Sequence, residues 1–575
     1  MATLLLWLGF ESGAIDEQHW QALESRALAR APGEATRLRG ERLRVLCIRH
    51  RAAAPPSLRP LADGSWLLAD LDLDVSERSL VARVQDTPAA VIHVDPLAGR
   101  LRLLRDRLGQ RPLVWARVRD GILVTSGEHI LLAHPQVDGA WNPEYFAAYF
   151  GATAPPAKAS AWRGVHTVAP GECLHLDAHS QRSEHTPLEP DSSVARLPER
   201  AASDRFRQLL GAAVGQECRQ ASRIGISLSS GLDSGSVAAL LPGEQRGKAM
   251  ALTYGSDQLV AVDERAAAAG LARRLGIEHA AFSIDPLAPL APSGDRPVCP
   301  DTPISNPYRE IKTELYRRAR AYGVDALLTG HFADHLQPAP GAWLGSAWNQ
   351  RAFRLICQRY TALLRQSGPI AVWRDRSWRQ WLGGSRRAGA APWLRPEWTA
   401  RLLAARQERL AHHHAWPQPA QAAQALGSYA AIDAAGENYF TAQHGIDVRH
   451  PYREVELVRF ALSLPAHLSE RQGQRKWLVR AALTGCLPDP WRLQPKSTSM
   501  QPFFDASLFG SGQKRAQELI DQSRPLWAEF VDPAAVAAAA GAHDGDEFPG
   551  LLRWLLVGFS LWSSTRCSAG GTRQP

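Results

Sequence analysis

The chain has few sulfur-bearing residues and lacks any long apolar run. Its seven cysteines (Cys47, Cys173, Cys218, Cys299, Cys357, Cys486, Cys567) are scattered, with no C-x-x-C pair. That spacing fits a reducing compartment and neither a disulfide framework nor a zinc site. No apolar stretch approaches the roughly 20 residues that span a bilayer. The opening MATLLLWLGFESG has a short apolar run without a basic flank or a small-residue cleavage site, so it reads as a first strand and not as a signal. A dense basic run with interleaved aromatics is also missing. Lys plus Arg total 66 against 57 for Asp plus Glu, a net +9 over 575 residues. This mild excess does not argue for nucleic acid, and an acidic peptide or a phosphate-bearing ligand suits it better. The expectation is a soluble, cytoplasmic protein with neither membrane nor nucleic acid as partner.

What is present divides the chain. Residues 1–177 hold short strand candidates between Gly, Pro and Asp turns, including Leu43–Arg49, Trp66–Asp70, Ala90–Val94 and Ile122–Thr125. This is the pattern of an antiparallel β domain. Residues 178–200 are polar and without apolar periodicity, as in a linker. From residue 201 to 565 strands alternate with helices, which predicts a parallel sheet covered on both faces. Residues 338–425 are rich in Trp, Pro and Arg with helical patches, and 566–575 read as a loose tail. The fold class expected is α/β plus α+β.

The most informative stretch is RIGISLSSGLDSGSVAAL, Arg223 to Leu240. An apolar strand runs into a Ser/Gly turn, and a helix opens behind it. Such a turn lets backbone N–H groups approach an anion, and the helix N-terminus adds partial positive charge. No Gly-Lys-Ser/Thr follows, so it is not a Walker loop. It resembles the S-G-G-x-D-S pyrophosphate loop of ATP pyrophosphatases, with Ser230 standing in place of the first Gly.

Three distant segments extend that likeness. VDALLTGHFADHLQ (Val324–Gln337) resembles the L-x-G-x-G-x-D-E segment of asparagine synthetases. HGIDVRHPYREVELVRFALSLP (His444–Pro465) is similar to their H-G-x-E-x-R-x-P-F-L-D element, and LPDPWRLQPKSTSMQPF (Leu487–Phe503) to their L-P-x-x-x-x-x-R-x-K element. Leu104–Pro135 and Gly164–Asp177 resemble the amidotransferase half of the same superfamily. The resemblance implies an Ntn-like antiparallel β sandwich followed by an adenine nucleotide α hydrolase-like synthetase domain. It implies ATP and Mg2+ as cofactors. Ser229, Ser230, Gly231, Asp233 and Ser234 would hold pyrophosphate, Thr329 and Gly330 would line the adenosine pocket, and Asp233 and Asp334 would hold the metal. Lys496 would stabilise developing negative charge.

The departures are as useful. Glutamine-dependent members expose a cysteine where this chain has Ala2, and without a thiol there is no attack on a glutamine amide. The β domain would then be a relic or a docking surface. By motif position the amine-activating pair would be His331 and Asp447, an imidazole beside a carboxylate, which suits general-base work. His331 with His335, and the His412–His414 triplet, have metal-like spacings, but each reads as loop.

Among cysteine-less relatives the chain looks most like lasso-peptide cyclases. Those enzymes close a macrolactam between the N-terminal amine of a precursor peptide and an Asp or Glu side chain. Nineteen Trp and the 338–425 region suit a peptide-sized substrate, although Trp-rich segments are often core. A leader peptidase and a leader-binding protein are then expected as partners. The other readings are a β-lactam synthetase-like or ammonia-dependent asparagine synthetase-like enzyme, and a non-catalytic precursor-binding scaffold. A tRNA-modifying pyrophosphatase would lack the amidotransferase-like half.

Overall fold

The computed structural model describes residues 2–10, 15–50, 57–70, 84–219, 221–290, 298–304, 306–338, 342–374, 378, 391–471, 474–494, 500–541 and 547–567. Lys496 therefore lies outside the described residues, as does the tail from 568.

The first strand, β1 (Ala2–Gly9), pairs antiparallel with β3 (Leu43–Arg49) on one side and β9 (Gly121–Thr125) on the other. With β2 (Glu34–Arg39), β8 (Val114–Val118) and β10 (His166–Thr167) they make a six-stranded sheet of order β10-β8-β9-β1-β3-β2. A second sheet runs β12-β11-β7-β6-β5-β4, from β4 (Ser57–Pro60), β5 (Trp66–Ala69), β6 (Ala90–Asp95), β7 (Arg100–Arg105), β11 (Glu172–Leu176) and β12 (Gln181–His185). Leu4, Leu6 and Leu8 point into the core shared by these sheets, with Ile92, Val94 and Leu103. Leu5 and Trp7 face the other way, into a second core. Burial on both faces explains the unbroken apolar run LLLWL, where a half-exposed strand would alternate.

That second core joins the two halves of the chain. Phe146 and Phe150 from the Pro143–Phe150 helix meet Phe530, Phe559 and Trp562, with centroids 5.1–6.1 Å apart. Trp393 and Trp398 also enter it, their indole N–H groups donating to Phe150 O at 2.8 Å and Glu529 O at 3.1 Å. So part of the Trp-rich 338–425 region is core, and its tryptophan content is no measure of substrate size. Removing one such indole costs about 3–5 kcal/mol. The final helix, Glu547–Cys567, is held there as well, where Tyr149 donates to Leu555 O at 2.7 Å.

The polar stretch 178–200 is more than a connector. Gln181–His185 forms β12, paired antiparallel with β11, and every residue of it is exposed. An edge strand with no buried face leaves no apolar period to read.

The synthetase half is built on a parallel sheet of order β15-β14-β13-β16-β17: β13 (Ile224–Ser227), β14 (Met250–Gly255), β15 (Glu278–Ser283), β16 (Ala326–Leu328) and β17 (Asp447–Arg449). Because all five run parallel, the loops after β13, β16 and β17 emerge together at their carboxyl ends, where open α/β sheets place ligands. Among the described residues no helix is long and apolar enough to cross a membrane.

One buried acid makes the fold pH-sensitive. Glu128 accepts from Ser160 Oγ at 2.9 Å and Ala161 N at 3.4 Å. Burial, with the Asp301 charge adding to it, pushes its carboxyl up to about 8. A carboxyl raised in the fold stabilises fully below its unfolded value and loses that contribution as pH rises towards the folded one. Stability should therefore fall by roughly 1 kcal/mol per pH unit across this window. Glu128→Gln should flatten that slope in denaturant titrations at mildly acidic and mildly alkaline pH. An unchanged slope would assign the effect elsewhere.

Candidate active site

The loop after β13 is shaped by its own hydroxyls. Ser229 N–H donates to Ser234 Oγ at 3.0 Å, the two hydroxyls lie 2.8 Å apart, and Gly231 N–H donates to Ser229 Oγ at 3.1 Å. The Leu232–Ala239 helix that follows has no side-chain cap, so its first-turn N–H groups face the loop without a side-chain acceptor. Ser230 behaves differently from the expectation. Its hydroxyl donates to Glu264 Oε1 at 3.0 Å and it is only 3 % exposed, so its side chain braces the back of the loop and does not line the cradle. A buried hydroxyl must find a partner, and Glu264 supplies it. Gln494 Nε2 donates to Ser230 O, which brings the chain leading to 495–499 against the same loop.

The loop after β16 comes within van der Waals distance. A Cβ on Gly330 would sit 2.5 Å from Ser234 N and 2.7 Å from Asp233 C. Both are backbone atoms that cannot give way, so only glycine fits. Gly330→Ala should cost about 1–3 kcal/mol and reduce nucleotide binding, read together by thermal melts and an ATP titration. A variant with wild-type melting and affinity would show that the loops are not seated this way. Two residues on, Phe332 is left-handed (φ 79°) and buried. This is a conformation natural to glycine, which is the residue the resembled motif carries there.

Asp233 and Asp334 are brought together, and by a residue the sequence did not flag. Lys476 Nζ lies 2.5 Å from Asp233 Oδ2 and 2.7 Å from Asp334 Oδ1. Lys476 is itself left-handed (φ 57°) at the head of the Trp477–Ala482 helix. Non-glycine residues hold that strain chiefly where the surroundings impose it, often at functional sites. The two carboxylates thus converge on one cationic point beside the Ser/Gly loop. This oxygen donor set fits a hard divalent cation shared with phosphate oxygens, and Asp233 and Asp334 would hold it.

The third loop supplies a polar relay. Thr329 Oγ1 accepts from His331 N–H at 3.2 Å and lies 2.7 Å from His450 Nδ1, and His450 Nε2 lies 2.6 Å from Glu437 Oε2. His450 Nε2–H donates to the Glu437 carboxylate, while Nδ1 and the Thr329 hydroxyl share the second contact. Lys312 and Tyr316 also reach Glu437 Oε1, at 3.2 and 3.1 Å. Burial opposes ionisation of Glu437, but the charges of Lys312, His450 and His331 outweigh it and hold the carboxyl well below its usual range. His331 is exposed, its ring 5.2 Å from that of His450.

Asp447, expected beside His331, belongs to another cluster. It accepts from Arg449 at 2.8 Å and Arg111 at 3.2 Å, and Arg111 reaches back to Asp70 at 3.5 Å. Burial works against its charge, yet the surrounding positive charges, Arg111 and Arg449 among them, keep its carboxyl below the usual range. The reason is register. Asp447 opens β17 opposite Ala326, at the amino end of parallel strands, whereas the site lies at the carboxyl ends. Glu437 is a carboxylate near enough for its charge to interact with that of His331. A cavity of about 250 Å³ lies between the halves of the chain, lined by Arg111, Glu217, Asp447, Arg449, and on its inner side His450 and Glu437.

At the start of β1, Ala2 N–H donates to Asp70 Oδ1 at 2.5 Å, and the surroundings include Thr3, His50 and Ser126. Ala2 itself offers no nucleophile to this corner.

A model of the glutamine amidotransferase domain matches residues 80–186. Among solved structures, the chain is similar to the allosteric regulatory enzyme of purine biosynthesis (11 % identity, 50 % of this chain and 81 % of that one, TM-score 0.22). It is also similar to glutamine phosphoribosylpyrophosphate amidotransferase from B. subtilis complexed with ADP and GMP (10 % identity, 59 % and 82 %, TM-score 0.21). A third is the NH3-dependent NAD synthetase from Campylobacter jejuni (15 % identity, 26 % and 61 %, TM-score 0.16). No curated protein matches the sequence. The model of asparagine synthase matches residues 205–564, more than half of the chain and all of the loops just described, and the chain therefore belongs to the asparagine synthase family, which indicates ATP-dependent amide-bond formation.

Proposed function

We propose that this chain closes a macrolactam in lasso-peptide biosynthesis, using ATP and releasing AMP and pyrophosphate. The supporting observation is the gathering of the Ser/Gly turn, Asp233, Asp334 and Lys476 at one end of the parallel sheet, in a chain whose amidotransferase-like half carries Ala2 where a thiol would be needed. The amine must then arrive with the substrate. In the first step, a side-chain carboxylate of the precursor attacks the α-phosphorus and pyrophosphate leaves. The N-terminal amine of the same peptide then attacks the acyl-adenylate carbonyl, AMP leaves, and the ammonium proton passes to a base. Mg2+ held by Asp233 and Asp334 would neutralise the departing pyrophosphate. The turn of Ser229, Gly231 and Ser234 cradles that group, Thr329 and Gly330 line the adenosine side, and Lys476 holds the two carboxylates in register. Lys496 is assigned a further share of the charge stabilisation. His331 takes the amine proton, with Glu437 and His450 stabilising the imidazolium that results.

The helices of the 338–425 region support a peptide substrate by their place. Gln421 Nε2 reaches His335 O at 3.5 Å, and the buried Trp343 lines one small recess with Arg475 and Lys476, so these helices pack directly against the site loops. A second reading has one observation in its favour. The 250 Å³ cavity behind His450 is of small-molecule size, as a β-lactam synthetase-like or ammonia-dependent enzyme would need.

Pyrophosphate release with product mass analysis decides between them. The expected result with a candidate precursor, its leader peptidase and ATP-Mg2+ is AMP and a peptide lighter by one water, lost in Asp233→Ala. Turnover with aspartate and ammonia, or with a small amino acid alone, would replace the macrolactam reading. No pyrophosphate from any substrate would point to a precursor-binding scaffold.

A further inference from the structure

On the outer edge of the second sheet, three side chains of different chemistry point at one another. Cys173 and Glu184 are directly opposed across the β11–β12 pair, and His175 is two residues along β11, so all three share a face. Cys173 Sγ lies 3.5 Å from His175 Nε2, and His175 Nε2 lies 3.8 Å from Glu184 Oε1. All three potential ligand atoms fall within 4.8 Å of one another. The Cys173–His175 and His175–Glu184 separations are near the edge lengths of a coordination tetrahedron. With Zn–S near 2.3 Å and Zn–N or Zn–O near 2.0–2.2 Å, a tetrahedral ion separates S from N by about 3.6 Å and N from O by about 3.4 Å.

We propose that Cys173, His175 and Glu184 form a zinc site that clips the edge strand β12 to the body of the amidotransferase-like sheet. Thiolate, imidazole and carboxylate together select zinc over the hard cations that would sit near Asp233. Three protein ligands leave the fourth position to water. The charges balance, since a thiolate and a carboxylate neutralise a divalent ion. The flanking Arg102, whose Nε donates to Cys173 Sγ at 3.3 Å, and Arg182, 2.7 Å from Glu184, therefore meet no net positive centre. Burial holds the His175 imidazole towards its neutral, ligating form. Ligation as thiolate displaces the Cys173 thiol proton.

The site also meets a structural need. β12 is the outermost strand, none of its residues is buried, and beyond its ladder it is tied by polar contacts: Ser183 Oγ donates to Glu172, Lys158 Nζ donates to Ser183 Oγ at 3.3 Å, and the His185 ring lies 2.9 Å from Pro170 O. A metal clip spanning Cys173 and Glu184 crosses that pair on one face.

The test uses the full, untagged chain stripped of metal and titrated with Co2+, then with Zn2+. The expected result is one Co2+ per chain with tetrahedral visible bands and a sulfur-to-cobalt charge-transfer band, all displaced by Zn2+. Cys173→Ser should abolish the charge-transfer band. His175→Ala and Glu184→Gln, at sites with solvent access and so without a folding penalty, should weaken Co2+ binding by more than about 100-fold. Zinc should slow amide exchange over 181–185 in the wild type and not in His175→Ala. Absence of a sulfur band in the wild-type chain, or its survival in Cys173→Ser, would overturn the site.

Discussion

Lys476→Ala is expected to lower ATP-dependent pyrophosphate release by about 10²–10³-fold, the loss typical of removing one preorganised charge from a developing anion. Its ammonium is the common partner of Asp233 and Asp334 and is only 12 % exposed. Without it, two carboxylates aimed at one point repel, and the loop that carries Asp334 loses its tie to the pyrophosphate turn. The Lys476–Asp334 contact is weak in itself, because Asp334 is 62 % exposed and such pairs contribute about 0–1 kcal/mol. The Lys476–Asp233 pair is 12 % and 24 % exposed, so melting should fall as well, and the rate loss is read on folded protein below the transition. Lys476→Arg keeps the charge but replaces a compact ammonium with a planar fork, and should recover only part of the activity. Lys496→Ala, measured beside it, tells whether the second lysine carries a comparable share. Wild-type turnover in Lys476→Ala would reduce that lysine to an ordinary ion pair.

The parts of this site that could be read in the sequence are those whose chemistry is local. Arg223 to Leu240 states its strand, turn and helix in consecutive residues, and the structure places Ser229, Gly231, Asp233 and Ser234 as that order implies. Lys476 was hidden because GQRKWLVRAAL reads as the start of an ordinary helix. Only its left-handed backbone, visible in three dimensions, sets it apart. Glu437 sits in the helix Ser428–His444, where a glutamate is normally a solvated face. It is largely covered, its side chain 13 % exposed, because Lys312 and Tyr316 of the Arg309–Ala321 helix lie over it. For Asp447 the motif was right and the end of the strand was wrong. A one-dimensional pattern does not say which end of a three-residue strand faces the ligand, and His450, just past the carboxyl end, is the residue that does. The edge strand β12 escaped for the opposite reason, since full exposure removes the alternation that marks a strand.

Glu437→Gln separates the two half-reactions. The substitution keeps the shape, and a hydrogen bond to His450 Nε2 remains possible, but the negative charge facing His450, Lys312 and His331 is gone. Adenylation needs the Ser/Gly loop and the Asp233–Asp334 pair and should proceed, read as ATP–pyrophosphate exchange near the wild-type rate. Attack by the amine needs a base whose protonated form is stabilised, and amide formation should fall by about 10²–10⁴-fold. Trapped acyl-adenylate, hydrolysed slowly to AMP without a dehydrated product, is the expected signature. His331→Ala should give the same split. Asp447→Asn should not, because Asp447 serves the Arg111 contact between the two halves and the Arg449 contact within β17, and its loss should appear in melting temperature. The pH dependence follows from sign. A carboxylate depressed in the fold contributes stability above its unfolded value and loses it as pH falls through the folded one. Glu437 is therefore ionised throughout the neutral range and gives the rate profile no acid limb there. Equal losses in exchange and in amide formation for Glu437→Gln would place the carboxylate in nucleotide binding and remove it from the amine-activating relay.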